Sequence, residues 1–184
     1  LSRADIHRGL GAIFTIFGSH DRARKNLKLV LEAVQDDRTG MTLKILGDGY
    51  RAQGMGKEAL DSYHKALNFL RRDQYPTELA ATERALGELY LERGQFANAI
   101  AHLEKALELE RSRSQQQGGA IVAILNGLAS AHEKRGELDK ATIRLHEALV
   151  YLDPRHTPER HIETLRELGR LYLSLNRAGE AARA

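Results

Sequence analysis

Small and large residues recur along this chain in one fixed order, and that order predicts a series of paired amphipathic helices. Over 86–106 the marked places hold Leu86, Gly87, Tyr90, Gly94, Ala99, Leu103 and Ala106. Upstream they hold Leu46, Gly47, Tyr50, Gly54, Ala59, Tyr63 and Ala66, and before them Leu10, Gly11, Phe14, Gly18, Ala23, Leu27 and Val30. Downstream they hold Leu128, Ala129, His132, Gly136, Ala141, Leu145 and Ala148, then Leu168, Gly169, Tyr172, Asn176 and Ala181. From the Gly or Ala at the second place to the last place the separation is 19 in all four complete copies, so the copy itself is rigid. All length variation falls between copies, where surface connections tolerate it.

The pattern predicts helices over 3–17, 20–35, 39–53, 57–72, 77–93, 96–113, 118–135, 138–152, 158–175 and from 178 to the end. Glycine inside a helix is roughly 1 kcal/mol worse than alanine. Gly11, Gly47, Gly87 and Gly169 therefore need a compensating gain, which close approach of a second helix supplies. Ala23, Ala59, Ala99, Ala141 and Ala181 read as the matching small surface on that helix. Gly18, Gly54, Gly94 and Gly136 fall where each first helix should stop in a left-handed residue. Turn chemistry marks Asp36-Asp37, 73–77 and 153–158. The stretch 112–119, SRSQQQGG, is the most polar and glycine-rich interruption and the expected site of mobility. Asn126-Gly127 would mark a hairpin in isolation, but the helical register around it overrides that reading.

This order of residues resembles the tetratricopeptide repeat, a helix, a tight turn and an antiparallel helix, and the resemblance covers nearly the whole chain. It implies an all-α fold, an α-solenoid in which antiparallel helix hairpins wind into a right-handed superhelix. A single array over 1–184 would then contain repeats at about 4–39, 40–79, 80–121, 122–161 and 162–184, the last truncated. Two features depart from the usual pattern. The usual period is about 34 residues, whereas the small residues at 11, 47, 87, 129 and 169 are 36, 40, 42 and 40 apart. The proline that closes many such repeats is also missing, since Pro76, Pro154 and Pro158 all lie in the connections. Long repeats of this kind are similar to those of cell-polarity adaptors, kinesin light chains and the sensor regions of bacterial regulatory ATPases. The resemblance implies a non-enzymatic scaffold that binds a peptide or helical segment in a concave groove, as part of a larger protein. The alternative it leaves open is a ligand- or peptide-sensing segment of a signalling ATPase or transcription regulator.

Composition narrows the chemistry. No apolar run approaches the roughly 18 residues that a membrane span needs, and the absence of cysteine fits a reducing, cytoplasmic setting. The eight histidines show no metal-ligand spacing. His132-Glu133 lacks the second histidine of a zinc-protease helix, and His132, at the place of Tyr50 and Tyr90, reads as a packed side chain. Gly54-Met55-Gly56-Lys57 has no strand before it and so is no phosphate loop. No catalytic residue, metal or cofactor is expected. A net charge of +3 invites nucleic acid as a partner, but acids are interspersed throughout and aromatics for base stacking are few. The chain begins without Met and stops early in its fifth repeat, so a longer parent protein, or self-association through the incomplete end, is expected.

Binding chemistry is sought on the first helices, which line the groove in the family that the chain resembles. Two residues before each Leu-Gly pair stand Arg8, Lys44, Arg84, Asn126 and Arg166, a nearly basic column. One turn later come Ala12, Asp48, Glu88, Ser130 and Arg170. Lys44 with Asp48, and Arg84 with Glu88, have the spacing of ordinary helix ion pairs. Arg8 has no such partner in the sequence, and Arg170 reinforces Arg166. With Asn126, whose amide both donates and accepts, these residues make an expected groove for an extended or helical acidic segment. The family's clamp for chaperone carboxylate tails needs a Lys with an Asn one turn later, and no repeat here has both.

Overall fold

The computed structural model describes residues 2–33, 38–113 and 118–181, with side chains as far as Asn176. Among the described residues there are nine α-helices and no strand: α1 (Arg3–Ile16), α2 (His20–Ala33), α3 (Thr39–Ala52), α4 (Gly56–Phe69), α5 (Pro76–Glu92), α6 (Phe96–Arg111), α7 (Gly118–Lys134), α8 (Leu138–Val150) and α9 (Pro158–Ala181). The chain divides into two compact units, Leu1–Leu89 and Tyr90–Ala184. The division falls inside α5.

Local chemistry accounts for the ends of the elements. Ser2 caps α1 through a reciprocal pair in which its hydroxyl accepts from the Asp5 N–H and the Asp5 carboxylate accepts from the Ser2 N–H. Pro76 and Pro158 open α5 and α9, where a missing N–H costs nothing. Gly18, Gly54, Gly94 and Gly136 have φ of 70°, 72°, 70° and 76°, the left-handed conformation expected of them. Asp153 organises the turn before α9, its carboxylate accepting from the Arg155 N–H at 2.8 Å and its carbonyl from the Thr157 N–H at 2.8 Å. α7 passes straight through Asn126-Gly127 and begins at Gly118. Asp36-Asp37 and residues 114–117 of the polar stretch lie outside the described residues.

In the N-terminal unit Gly11 and Gly47, the second place of the pattern, are sockets. A Cβ on Gly11 would lie 2.5 Å from Leu27, and one on Gly47 would lie 2.6 Å from the Tyr63 ring. This corrects the expectation that the second helix offers its alanines to these glycines. The alanines Ala23 and Ala59 are buried, but the residue that fills each socket is the large one four positions later. Leu43, Ala66 and Leu70 extend this core, with Leu70 also filling the space above Gly40. In the C-terminal unit Leu103, Ile121, Ile124, Leu125 and Leu128 are essentially inaccessible to solvent and form one cluster. Ala129, Ala141, Leu145, Leu168 and Leu171 form another.

The expected break before a tenth helix does not occur, because α9 continues through Asn176 to Ala181. Asn176 stands where the other copies have glycine, and it lacks glycine's free access to the left-handed conformation that ends a helix. The following Ala178 and Ala181 favour continuation.

Candidate functional site

The six expected groove residues fall into two sets, Arg8, Lys44 and Arg84 in the N-terminal unit and Asn126, Arg166 and Arg170 in the C-terminal one. In the first set every cation already has an anionic or polar partner. Arg8 is buried, donating from Nε to Thr42 Oγ1 at 2.7 Å and from Nη1 to Asp5 Oδ1 at 3.0 Å. The expectation that Arg8 stands without a partner is thus corrected, because the residue that answers it three positions earlier, Asp5, was not read against it. Asp5 also receives Arg38 at 2.9 Å. Hydrogen bonds from the Ser2 hydroxyl and N–H, followed by the charges of Arg38 and Arg8, hold its carboxyl below the usual 3.8.

Lys44 pairs with Asp48 at 2.7 Å, and the same carboxylate accepts from the Tyr63 hydroxyl at 2.8 Å. Burial pushes the Tyr63 phenol well above its ordinary range, and the Asp48 charge adds to the effect. Arg84 pairs with Glu88, which also receives Arg51 at 2.6 Å. Lys44 and Arg84 remain about a quarter and a third exposed, at 26% and 34%.

In the C-terminal unit α7, α8 and α9 enclose a cleft of about 400 Å³. Its base is apolar, made of Ala129, Leu145 and Leu171. Asn126, Ser130 and Glu133 line it from α7, and Glu163, Glu167 and Arg170 line it from α9. Arg170 donates from Nη1 to Glu133 Oε1 and from Nη2 to Glu133 Oε2 at 2.9 Å, and it reaches Glu167 Oε2 from Nη2 at 2.6 Å. Those two carboxylates raise the Arg170 pKa still further, and the Arg170 hydrogen bonds hold the Glu133 carboxyl below its usual 4.5. Arg166 is exposed and lies outside the cleft wall.

The acidic wall formed by Glu133, Glu163 and Glu167 is what the column-by-column reading missed. A spacing signal was present. Arg51 meets Glu88 across 37 residues, and Glu133 meets Arg170 across 37 residues with the charges exchanged. Each pair joins the place four after a repeat's small residue to the place one after the next repeat's small residue. A period of 40 less three gives the separation, so reading across neighbouring repeats would have found both.

A carboxylate whose pKa is lowered by folding stabilises the folded state above its unfolded value and loses that contribution as pH falls through the folded one. Acidification below 4.5 is therefore expected to loosen α9 from α7. Urea midpoints measured from about pH 7 down to about pH 3, an interval that spans carboxylate titration, should fall less steeply for Glu133→Gln than for the unaltered protein; identical slopes would contradict the assignment.

His132 is buried, as its place in the pattern predicted, with Nδ1 2.7 Å from Glu137 Oε2. Among the described residues no helix is long and apolar enough to cross a membrane.

Comparison with known proteins supports the fold. Residues 38–112 match the family model described as the tetratricopeptide repeat. Over 141 residues the chain is 25% identical to the Arabidopsis thaliana protein KINESIN LIGHT CHAIN-RELATED 2, a match covering 75% of this chain and 21% of that protein. The chain thus spans about a fifth of that relative's length. Among solved structures, the nearly identical TPR-like repeats assigned to a kinesin light chain of Podosopora anserina superpose with a TM-score of 0.75 at 19% identity, covering 99% of this chain and 92% of that one. MamA of Desulfovibrio magneticus RS-1 superposes with a TM-score of 0.74 at 18% identity, covering 100% of this chain and 91% of that one. At such identities the likeness is one of fold.

Proposed function

Because the chain belongs to the tetratricopeptide-repeat family, whose members generally act as non-enzymatic scaffolds for protein–protein interaction, we propose that it binds a peptide segment of a partner protein in the cleft between α7, α8 and α9. The observation that carries this reading is the combination of an apolar base with an exposed Asn126 at the rim. Peptide sites take this form, with apolar contact supplying affinity and a few polar groups fixing orientation. The Asn126 amide donates to a backbone carbonyl and accepts from a backbone N–H, and one apolar side chain of the partner settles over Ala129 and Leu171.

Charge then selects among segments. Arg166, exposed outside the cleft wall one turn before Arg170, meets an acidic side chain of a segment that runs past the rim, and Arg170 becomes available only as Glu133 or Glu167 is displaced. An acidic residue next to an apolar one, rather than a run of acids, suits this mixture, since a long acidic run would meet Glu163. Lys44 and Arg84 extend the same chemistry on the first helices of the N-terminal unit by exchange with Asp48 and Glu88. Arg8 is buried and serves the packing of α1 on α3. The expected setting is the cytoplasm.

The test is to select peptides from a random displayed library on the intact protein and measure the best of them by titration calorimetry. Asn126→Ala combined with Arg166→Glu should weaken binding at least about tenfold, a loss of about 1.4 kcal/mol, with the helical content unchanged. Undiminished binding would place the peptide site elsewhere.

A further inference from the structure

α8 turns its polar residues to two neighbours. Arg144 reaches Glu104 on α6, whereas His146, two residues later, meets Tyr172 on α9 at 2.6 Å. The peptide cleft lies on the α9 side. On the α6 side a separate cavity of about 390 Å³ opens between Ile100 and Glu104 of α6, Lys140, Ile143 and Arg144 of α8, and the turn that joins α7 to α8. It sits at the His132 end of α7, 14 residues from Gly118, or about 21 Å along the helix.

Charge decides what can enter. Arg135, Lys140 and Arg144 line the cavity against two carboxylates, Glu104 and Glu137, an excess of one positive charge. Glu147 also receives Arg144 at 3.2 Å, but it is shared with Arg111, so counting that pair leaves the excess unchanged. Two of the cations are also loosely matched. Charge-assisted contacts between nitrogen and oxygen are about 2.7–2.9 Å, whereas Arg144 stands 3.4 Å from Glu104 and Lys140 stands 3.4 Å from Glu137. Glu137 is committed more closely elsewhere, to the buried His132 at 2.7 Å and to Arg135 at 3.0 Å. Hydrogen bonds from His132 and then Lys140, with the charge of Arg135, hold its carboxyl below the usual 4.5, so it stays anionic at neutral pH.

We propose that this cavity is a second partner site, in which Lys140 and Arg144 bind the side-chain carboxylate of an aspartate or glutamate flanked by an apolar residue in another protein. One negative charge balances the excess. A doubly charged phosphoryl group overshoots it and is repelled by Glu137. The apolar contact is Ile143, which is 61% exposed at the mouth, with Ile100 more deeply set. Because that contact faces outward, it suits the next residue of a continuing chain rather than the body of an enclosed small acid. The site goes beyond the peptide cleft and lies on the other side of α8 from it, so the protein holds two segments at once.

The probe is the tripeptide Leu-Glu-Leu, acetylated and amidated so that its only charge is the glutamate carboxylate. It is titrated to millimolar concentration into the intact protein labelled on its isoleucine methyl groups for nuclear magnetic resonance. The Ile100 and Ile143 signals should shift saturably, and Ile162, on α9, should not. Glutamine in place of the peptide's glutamate should abolish the shifts. Lys140→Gln combined with Arg144→Gln should weaken binding at least about tenfold, and so should Ile143→Asp, whose exposed position leaves the fold intact. Absence of binding overturns the proposal, as does undiminished affinity in these variants. Shifts confined to Ile162 overturn it by placing the peptide on α9, and tighter binding of the same peptide with phosphoserine at its centre overturns it by making the site one for a dianion.

Discussion

Gly47→Ala lowers the stability of the protein, and Gly169→Ala, the same substitution at the same place of the repeat, raises it. At Gly47 the added methyl group would sit 2.6 Å from Tyr63 Cδ1 and Cε1. The ring has little room to yield, since Tyr63 is 0% exposed and its hydroxyl is held by Asp48 at 2.8 Å. Overpacking of this kind costs about 1–3 kcal/mol, and the better helix propensity of alanine returns at most about 1 kcal/mol of it. At Gly169 a Cβ would meet nothing within 4 Å among the described residues, so only the propensity gain operates. Urea denaturation followed by circular dichroism should show the two midpoints moving in opposite directions from the unaltered protein. Equal shifts would mean that the repeat position is not a socket filled from the paired helix.

Leu103→Ala should cost more, about 2–5 kcal/mol, the range for emptying a buried leucine site. Leu103 is 0% exposed and joins α6 to the Ile121, Ile124, Leu125 and Leu128 cluster. It also lies 3.1 Å from where a Cβ on Gly127 would stand. Gly127→Ala should consequently be unfavourable alone and better tolerated beside Leu103→Ala, because the new methyl group occupies part of the space the leucine leaves. A double-mutant cycle on urea midpoints measures that coupling. Strict additivity would show that the two positions do not share a space.

How far the sequence disclosed this arrangement depends on the range of the interaction. The four left-handed glycines were legible because each needs only its own helix end, and the recurrence at 18, 54, 94 and 136 marks them. The large partner of each in-helix glycine was less legible. The period relates residues at the same place, whereas Gly47 and Tyr63 occupy different places on different helices. The ion pairs Arg51–Glu88 and Glu133–Arg170 were missed for the same reason, since each joins two places in adjacent repeats. Arg8 looked free because its partners, Asp5 and Thr42, lie three residues back and on the next first helix. The continuity of α9 escaped the pattern because asparagine at 176 was read as equivalent to glycine, although the two differ in backbone freedom.

Thiol labelling tests the central claim most directly: among the described residues Leu43 is covered in its repeat, whereas Leu165, at the same place on α9, is 47% exposed. The chain contains no cysteine, so Leu43→Cys and Leu165→Cys each introduce a single reporter at equivalent places of the repeat. Leu165→Cys should react with a maleimide at nearly the rate of the unfolded chain, and Leu43→Cys at least about tenfold more slowly, since it reacts only through opening. Equal protection of the two thiols would contradict the account.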